Sequence, residues 1–206
     1  MDVVVRCERV AVLLPDEESF DAAYRTLPDW RRRKCDVLRF PEDRRRSVAA
    51  WLLLKRMLAE RGVKADALSV SETPFGKPVF DRTENLHFSL SHAGGLVMAA
   101  VSAAPVGCDV EQVKPVDDAV CRRVLSAVEF SRLETTQVGT ERDREFCRLW
   151  TRKESYLKAI GRGLEIDPQT VPALGASVFG WSLADLDVGE GFCGCVCASA
   201  GAVIRR

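Results

Sequence analysis

The order of helix and strand patterns along the chain predicts an α+β fold, because strands and helices do not alternate as repeated βαβ units. Residues 44–61 repeat apolar side chains at helical spacing and stop at Gly62, as an amphipathic helix does. Residues 86–91 alternate apolar and polar side chains, and an apolar run at 96–102 follows two glycines, which is typical of a β-hairpin.

The same order divides the chain near residue 104. A strand, helices and a hairpin precede this point, and a strand, helices and a further strand follow it. We therefore predict two similar lobes, an N-terminal lobe of residues 1–104 and a C-terminal lobe of residues 105–206. A chain of 206 residues is long enough to bury a substantial core in this arrangement.

Each element is predicted from periodicity or from a residue that begins or ends it. Pro15 breaks the first strand, Asp43 is a candidate N-cap for the long helix, and Gly161 ends the last helix. In that last helix, apolar residues recur three and four apart and form one stripe. The elements, in chain order, are a strand (3–14), a short helix (17–27), a helix (44–61), a turn (74–80), the hairpin (86–102), a strand (106–111), a helix (117–134), a helix (146–160) and a strand (192–200).

Composition and overall charge are those of an ordinary folded domain. Apolar residues make up 47% of the chain, and 30 basic residues balance 30 acidic ones. The zero net charge provides no overall attraction to nucleic acid. Residues 31–46, however, contain eight basic and three acidic residues, a local net charge of +5. This patch predicts a localised anionic ligand or partner.

The sequence predicts a cytoplasmic protein without a membrane-spanning segment. The first residues lack the basic and apolar regions of a signal peptide, and no apolar run approaches the roughly 20 residues that cross a bilayer. The eight cysteines are scattered, which favours reduced thiols over a disulfide framework. Cys193, Cys195 and Cys197 alternate along one strand face. A role as small buried hydrophobes is favoured over zinc ligation, because no Cys or His pair with zinc-finger spacing accompanies them.

Three carboxylates are candidates for chemistry. Asp109 and Glu111 lie two apart on a predicted strand, so their side chains project from one face and need a cation or a proton between them. Trp150, Glu154 and Lys158 lie four apart and share one side of the last helix. A solvated strand face and a helical salt bridge beside a core tryptophan would explain these patterns. The alternative is an oxygen-ligand site for Mg²⁺ and phosphate, which suits carboxylates without neighbouring His or Cys better than zinc does.

Several basic side chains are candidates to bind a multiply charged phosphate ligand. They are Lys77, His92, Lys153, Lys158 and the arginines of residues 31–46. The Gly76-Lys77-Pro78 turn lacks the spaced glycines and the Lys-Ser/Thr pair of a Walker loop. A nucleotide- or RNA-binding protein would also explain the arginines, but no aromatic stacking platform or recognisable binding module accompanies them.

Four segments, in this order, carry a resemblance to a known family. They are Gly76-Lys77-Pro78, Phe88-Ser-Leu-Ser91-His92, Val106-Gly107-Cys108-Asp109-Val110-Glu111, and Trp150-Thr-Arg-Lys153-Glu154-Ser155-Tyr-Leu-Lys158 followed by Gly161-Arg-Gly163-Leu164. Together they resemble the 4′-phosphopantetheinyl transferases, and the two-lobed Sfp-like class fits best. The last two segments in combination are the most specific part, and the resemblance covers about residues 28–165.

The resemblance implies a monomer of two pseudo-twofold-related lobes, with coenzyme A and Mg²⁺ in the cleft between them. The implied reaction moves phosphopantetheine from coenzyme A to a serine of an acyl or peptidyl carrier protein and releases adenosine 3′,5′-bisphosphate. No nucleic acid or membrane partner is implied. Asp109, Glu111 and Glu154 would hold Mg²⁺, Lys158 would contact the pyrophosphate, and Lys153 would lie beside it.

The resemblance also implies a nucleotide-binding set and a catalytic base. The nucleotide end would be bound by Arg31, Lys34, Arg46, Lys77, Ser91 and His92, with Arg46 and His92 on the 3′-phosphate. Glu129 matches the glutamate that is proposed in the family to deprotonate the carrier serine. Ala93 stands where the family commonly has a serine, so one hydroxyl contact is lost. The alternative is a non-catalytic module of the same fold that binds coenzyme A or a carrier protein; the intact carboxylates argue against it.

Overall fold

The computed structural model describes residues 2–206, apart from the side chain of Leu164, so that side chain and residue 1 of the predicted first lobe lie outside the described residues. The helices are α1 (Val10–Leu13), α2 (Glu17–Arg25), α3 (Asp29–Asp36), α4 (Pro41–Ala59), α5 (Asp118–Val124), α6 (Ala127–Glu134) and α7 (Thr140–Ile160). The strands are β1 (Asp2–Arg9), β2 (Val70–Glu72), β3 (Pro78–Phe80), β4 (His87–Ala93), β5 (Leu96–Ser102), β6 (Val106–Gln112), β7 (Ser177–Val178), β8 (Trp181–Leu186), β9 (Phe192–Ser199) and β10 (Val203–Arg205). Helices and mostly antiparallel strands are therefore combined as the predicted α+β class requires.

Two four-stranded sheets organise these elements. The first has the order β10-β1-β5-β4 and the second the order β6-β9-β8-β7, while β2 and β3 form a separate hairpin. All pairings are antiparallel except that of β10 with β1. The last strand thus returns from the second half of the chain to the sheet of the first half. The pseudo-twofold relation between the lobes stays a prediction.

The two four-stranded sheets lie between the long helices α4 and α7. Trp51 on α4 packs edge-on against Phe88 of β4, with ring centroids 6.4 Å apart. Met98 of β5 and Val110 of β6 belong to one buried cluster, so apolar faces of the two sheets pack together. Leu157 of α7 packs with cysteines of β9 on the other face of the second sheet. The result is a layered helix–sheet–sheet–helix arrangement, in which β6 lies under α7.

Several predicted boundaries differ from the structure. The first strand ends at Arg9, where α1 begins, and the basic stretch contains α3, which the sequence patterns did not predict. The long helix α4 begins at Pro41, so Phe40 and not Asp43 is its N-cap residue, because proline suits the first helical turn. The single helix predicted over 117–134 is two helices, since Ser126 caps a new helix with its side chain.

The structure also describes the state of the cysteines and the apolar character of the helices. The eight cysteines are free thiols, and those of β9 are buried at alternate positions of the strand, as its pattern predicted. Within residues 2–206, no helix has both the length and the apolar composition that a bilayer span requires.

Candidate active site

A glycine allows the carboxylates of β6 to approach helix α7. A Cβ atom on Gly107 would lie 1.9 Å from the carbonyl oxygen of Ser155 and 2.4 Å from the amide nitrogen of Ala159, which is closer than any real contact. The helix therefore rests directly on the strand backbone at this point. This close packing brings Glu154 and Lys158 of the helix beside Asp109, two residues further along β6.

Asp109 is 2% exposed, and its two carboxylate oxygens have different surroundings. Oδ1 accepts a hydrogen bond from Ser91 Oγ at 2.7 Å and another from Lys158 Nζ at 2.5 Å. Oδ2 is buried and has no hydrogen-bond partner among the described residues. A buried carboxylate oxygen without a donor is costly to maintain, so this atom is available to a ligand that carries positive charge.

Glu111 and Glu154 are partly buried and lie within electrostatic range of Asp109. Burial raises the pKa of Glu111 to about 7, and the charges of Asp109 and Glu154 contribute to this rise. Burial also raises the pKa of Glu154, with Lys158 opposing the rise and Asp109 adding to it. For Lys158, burial alone would lower the pKa, but contact with Asp109 raises it above the usual lysine value. The raised pKa values of Glu111 and Glu154 reflect the cost of placing three wholly or partly buried carboxylates beside one ammonium.

The donor set fits a hard divalent cation that retains water. Its protein ligands would be carboxylate oxygens, one of them an unpartnered buried oxygen, and Mg²⁺ prefers oxygen ligands. Among residues 2–206, no three His, Cys, Asp or Glu side chains converge closely enough to hold a metal by themselves. An all-protein cage is not what Mg²⁺ usually takes, because it commonly shares one or two carboxylates with waters and phosphate oxygens.

His92 lies in a cationic environment at the end of β4. Burial, together with the charges of Arg31, Arg46 and Lys158, lowers the pKa of its imidazole to about 4. Near neutral pH the ring is therefore uncharged, although three cations surround it. A group of positive charges around a neutral hydrogen-bonding ring favours an anionic ligand.

Two of these cations are held by the backbone. Arg31 is 9% exposed; its Nη2 donates to the carbonyl of Ser47 at 3.0 Å, while its Nε is buried without a partner in the described part of the chain. Burial lowers the pKa of Arg31 to about 10, which leaves it charged at neutral pH. Arg46 donates to the carbonyl of Gly94 at 3.2 Å and pairs with Asp43. Both guanidinium groups are thus fixed in place near His92, at the end of β4.

A cleft of about 300 Å³ lies beside Glu154 and Lys158 and has walls from both halves of the chain. Among the side chains that line it are Arg31, Lys34, Phe75, Lys77, Glu154 and Lys158. Lys34 pairs with Glu72 at 2.7 Å. Phe75, which the sequence patterns did not single out, lies under the guanidinium of Arg162, 5.4 Å from its ring centroid. The sequence feature that could have indicated Phe75 is its position directly before the Gly76-Lys77-Pro78 turn.

Lys77 joins the two walls of this cleft. Its Nζ donates to the carbonyls of Val106 and Ala159, each at 3.2 Å, and its aliphatic chain lies against Gly161. Burial lowers the pKa of this ammonium to about 8. A cation at the last carbonyls of α7 also complements the helix dipole. With two of its donors used in this way, Lys77 has one left for a ligand.

The structure does not bring Glu129 and Lys153 to the carboxylate cluster. Lys153 is fully buried and pairs with Glu129 at 2.7 Å, and it also donates to the carbonyls of Pro168 and Val171. The carboxylate of Glu129 accepts further hydrogen bonds from two backbone amides, including that of Ala173 at 2.7 Å. The roles implied for these two residues stay predictions, and their contacts do not support them.

Two protein-family models together match most of the chain. Residues 105–185 match the 4′-phosphopantetheinyl transferase superfamily, and residues 14–104 match the N-terminal region of a 4′-phosphopantetheinyl transferase. The carboxylate pair on β6 and helix α7 both lie in the first of these matches. The cationic residues of α3, α4 and β4 lie in the second.

Curated relatives agree with these matches. The chain is 35% identical over 135 residues to the 4′-phosphopantetheinyl transferase psf-1 of Bacillus pumilus. These aligned residues cover 65% of this chain and 58% of the relative. It is 29% identical over 137 residues to the transferase Sfp of Bacillus subtilis, with 66% and 61% covered. The chain thus spans about three fifths of the length of these Bacillus relatives.

A cyanobacterial relative is matched over more of its length. The 4′-phosphopantetheinyl transferase HetI of Nostoc is 33% identical over 161 residues, which cover 71% of this chain and 68% of the relative. The identity, the coverage and the two family models all indicate the same relationship. The chain therefore belongs to the 4′-phosphopantetheinyl transferase superfamily.

Proposed function

We propose that this protein transfers 4′-phosphopantetheine from coenzyme A to a serine hydroxyl of an acyl or peptidyl carrier protein and releases adenosine 3′,5′-bisphosphate. One observation carries the proposal: Asp109 binds Lys158 through Oδ1 and keeps a buried Oδ2 that is unpartnered among the described residues, and Lys158 lines a cleft whose other wall is cationic. A pyrophosphate diester with an additional 3′-phosphate has the charge that this combination would bind.

The cationic wall would bind the nucleotide end of coenzyme A. Arg31 and Arg46 are fixed guanidinium groups, which bind phosphate in a bidentate geometry better than lysine does. The neutral ring of His92 would donate one hydrogen bond without adding charge. Lys34 and Lys77 line the cleft with Arg31. Lys34, which pairs with Glu72, would contribute longer-range attraction, and Lys77 would offer the ligand its one remaining donor.

Asp109, Glu111 and Glu154 would hold the Mg²⁺ ion together with waters and phosphate oxygens. When bound, the ion neutralises negative charge on the pyrophosphate and so favours departure of the bisphosphate. Lys158 would stay beside Asp109 and stabilise charge that develops on the departing oxygen. Together, the three carboxylates and Lys158 would orient the phosphorus.

The transfer itself exchanges the phosphoanhydride bond of the coenzyme A pyrophosphate for a phosphoester bond to serine. The serine oxygen forms a bond to the β-phosphorus of coenzyme A, while the bond from that phosphorus to the oxygen of the bisphosphate breaks. Positioning and electrostatics supply most of the catalysis in such reactions, so no covalent enzyme intermediate is needed. The serine proton needs an acceptor, and Glu129 would have to leave Lys153 in order to serve.

We also propose that residues 1–104 and 105–206 act as two lobes of one cytoplasmic monomer. The cleft has walls from both parts, and α7 of the second part contacts the first through Lys77. One chain would then supply both the nucleotide-binding wall and the carboxylates. Sedimentation equilibrium with and without coenzyme A tests the monomer, and a stable dimer would contradict it.

Intact-protein mass spectrometry of an apo carrier protein tests the function. The protein, coenzyme A and Mg²⁺ should add the mass of one phosphopantetheine to the carrier, and EDTA should prevent the addition. No mass change on acyl and peptidyl carriers, despite tight binding of coenzyme A, would identify a non-catalytic binding module. Failure to bind coenzyme A would overturn the proposal altogether.

A further inference from the structure

Ser91 joins the two sheets at the carboxylate cluster. Strands β4 and β6 are neighbouring edge strands without a backbone ladder between them. The hydroxyl of Ser91 on β4 accepts a hydrogen bond from the amide of Val110 on β6 at 3.2 Å. It also donates to Asp109 Oδ1 at 2.7 Å and accepts from Lys158 Nζ at 3.2 Å. One buried hydroxyl thus contacts the strand and both charged partners.

These contacts use the full capacity of the hydroxyl. A serine hydroxyl has one hydrogen to donate and two lone pairs to accept with, and the amide and the ammonium occupy both lone pairs. Its hydrogen is therefore directed at Asp109 Oδ1. Ser91 is 7% exposed and has no donor or acceptor capacity left for a nucleotide phosphate. The implied contact of Ser91 with the nucleotide end has no support in this geometry.

The same contacts fix which oxygen of Asp109 is available. Oδ1 receives hydrogen bonds from Ser91 and Lys158, so rotation of the carboxylate would cost both. Oδ2 is left buried and without a partner among the described residues. Two charge-assisted hydrogen bonds on one oxygen hold the other in a single position.

We propose that Ser91 is a positioning residue of the metal site, which holds Asp109 so that Oδ2 is presented to the divalent cation. This inference rests on the proposed function, because that function supplies the cation. Partners that orient metal-binding carboxylates commonly change metal affinity about tenfold to a hundredfold when they are removed.

Ser89 provides a matched control two residues earlier on the same strand. Its hydroxyl accepts from the amide of Cys108 at 3.0 Å, just as that of Ser91 accepts from Val110, and its side chain is equally buried. Ser89 makes no hydrogen bond to Asp109 in the described part of the chain. Replacement of Ser89 therefore removes one link between the sheets and leaves the carboxylate in place.

The test measures Mn²⁺ binding by electron paramagnetic resonance of the free ion, in the presence of coenzyme A. Ser91→Ala should weaken Mn²⁺ binding about tenfold to a hundredfold, and Ser89→Ala should not. Ser91→Cys keeps the side-chain size with a weaker donor, so it should give an intermediate loss if the alanine variant does not fold. Calorimetric titration with coenzyme A in EDTA should give the same affinity for wild type and Ser91→Ala.

The possible results distinguish positioning of Asp109 from direct contact with the nucleotide, and they separate this inference from the proposed transfer reaction. A loss of coenzyme A affinity in EDTA with unchanged Mn²⁺ binding would make Ser91 a direct nucleotide contact and overturn the inference. Equal losses of Mn²⁺ binding in both serine variants would assign the effect to the link between the sheets. Neither titration uses a carrier protein, so a wild-type protein that binds Mn²⁺ and coenzyme A but modifies no carrier would refute only the proposed transfer.

Discussion

The ammonium of Lys153 lies 2.7 Å from the carboxylate of Glu129, and both side chains are enclosed in the protein, at 0% and 2% exposure. The pair connects three segments, because Lys153 is on α7, Glu129 is in the first turn of α6, and three of their other hydrogen bonds go to residues 168–173. All three donors of the ammonium are used. A buried pair with satisfied partners is a structural connection, and its loss leaves an uncompensated charge.

Glu129→Gln should therefore reduce the free energy of unfolding by about 3–5 kcal/mol, because it leaves the charge of Lys153 buried and unpaired. Urea titration followed by circular dichroism measures this. Glu134→Gln on the same helix is the control: its pair with Arg122 is exposed, so its loss should cost about 0–1 kcal/mol. A Glu129→Gln protein of normal stability that transfers no phosphopantetheine would instead support Glu129 as the base.

Gly107→Ala should both destabilise the protein and reduce its activity. The added Cβ would force α7 away from β6 by its contact with the Ser155 carbonyl, and backbone cannot rotate aside as a side chain can. Overpacking of this kind costs about 1–3 kcal/mol or more. Gly95→Ala is the control, since nothing lies within 4 Å of a Cβ there. Equal melting temperatures for the two variants would show that the strand and helix have room to separate.

Glu154→Gln should abolish transfer without weakening the fold. Burial raises the pKa of Glu154 in the folded protein, so its charge at neutral pH disfavours folding. An amide of the same shape removes that cost, and stability in EDTA should equal or exceed that of wild type. The rate of carrier modification should fall about a hundredfold or more, as when a transition-state contact is lost. A variant that retains most of its activity would remove Glu154 from the metal site.

Periodicity in the sequence was sufficient to predict the two acidic positions of β6 and the helix that faces them. The alternation of Val106, Cys108 and Val110 placed Asp109 and Glu111 on the opposite face, where the structure has them beside α7. Such patterns report which face of an element is buried. They contain no information on partners from distant segments, so the hydrogen bond between Ser91 and Asp109 could not be predicted.

The same limit explains why the sequence motif did not indicate that Lys153 is buried. Its position in the Trp150–Lys158 motif suggested proximity to phosphate, yet burial of a lysine depends on a partner that is 24 residues earlier in sequence, Glu129. The split of the 117–134 region was visible in principle. Ser126 followed three residues later by Glu129 is a capping box, which begins a helix rather than continuing one.

Arg46→Ala should weaken binding of coenzyme A about tenfold to a hundredfold, because a charge-assisted hydrogen bond to phosphate contributes about 1.5–3 kcal/mol. The KM for the carrier protein should not change. Arg33→Ala is the control, since Arg33 belongs to the same basic stretch but is exposed on α3. Calorimetric titration gives the affinities. A variant that weakens only carrier binding would make the basic stretch a protein-docking surface.

Stability should fall as the pH rises above about 8.5, the usual pKa of a thiol in an unfolded chain. Burial raises the pKa of Cys108 and of Cys195 to about 12, and it raises that of Cys197 as well. At pH 9–11 the unfolded chain therefore loses protons that the folded protein keeps. Each such thiol lowers the free energy of unfolding by up to about 1.4 kcal/mol per pH unit.

Burial lowers the pKa of two lysines, Lys153 and Lys77, which act in the opposite direction, but the thiols with a raised pKa outnumber them. Lys77 illustrates the effect. Its folded pKa is about 8 and its ordinary value is 10.5, so between these values the unfolded chain holds a proton that the folded protein has lost, and stability rises with pH. Urea titrations at pH 8 and pH 10 in a phosphine reductant measure the net effect. Cys108→Ala should flatten the decline by the share of one thiol. Stability that is constant or rises with pH would show that the cysteines of the core ionise without unfolding.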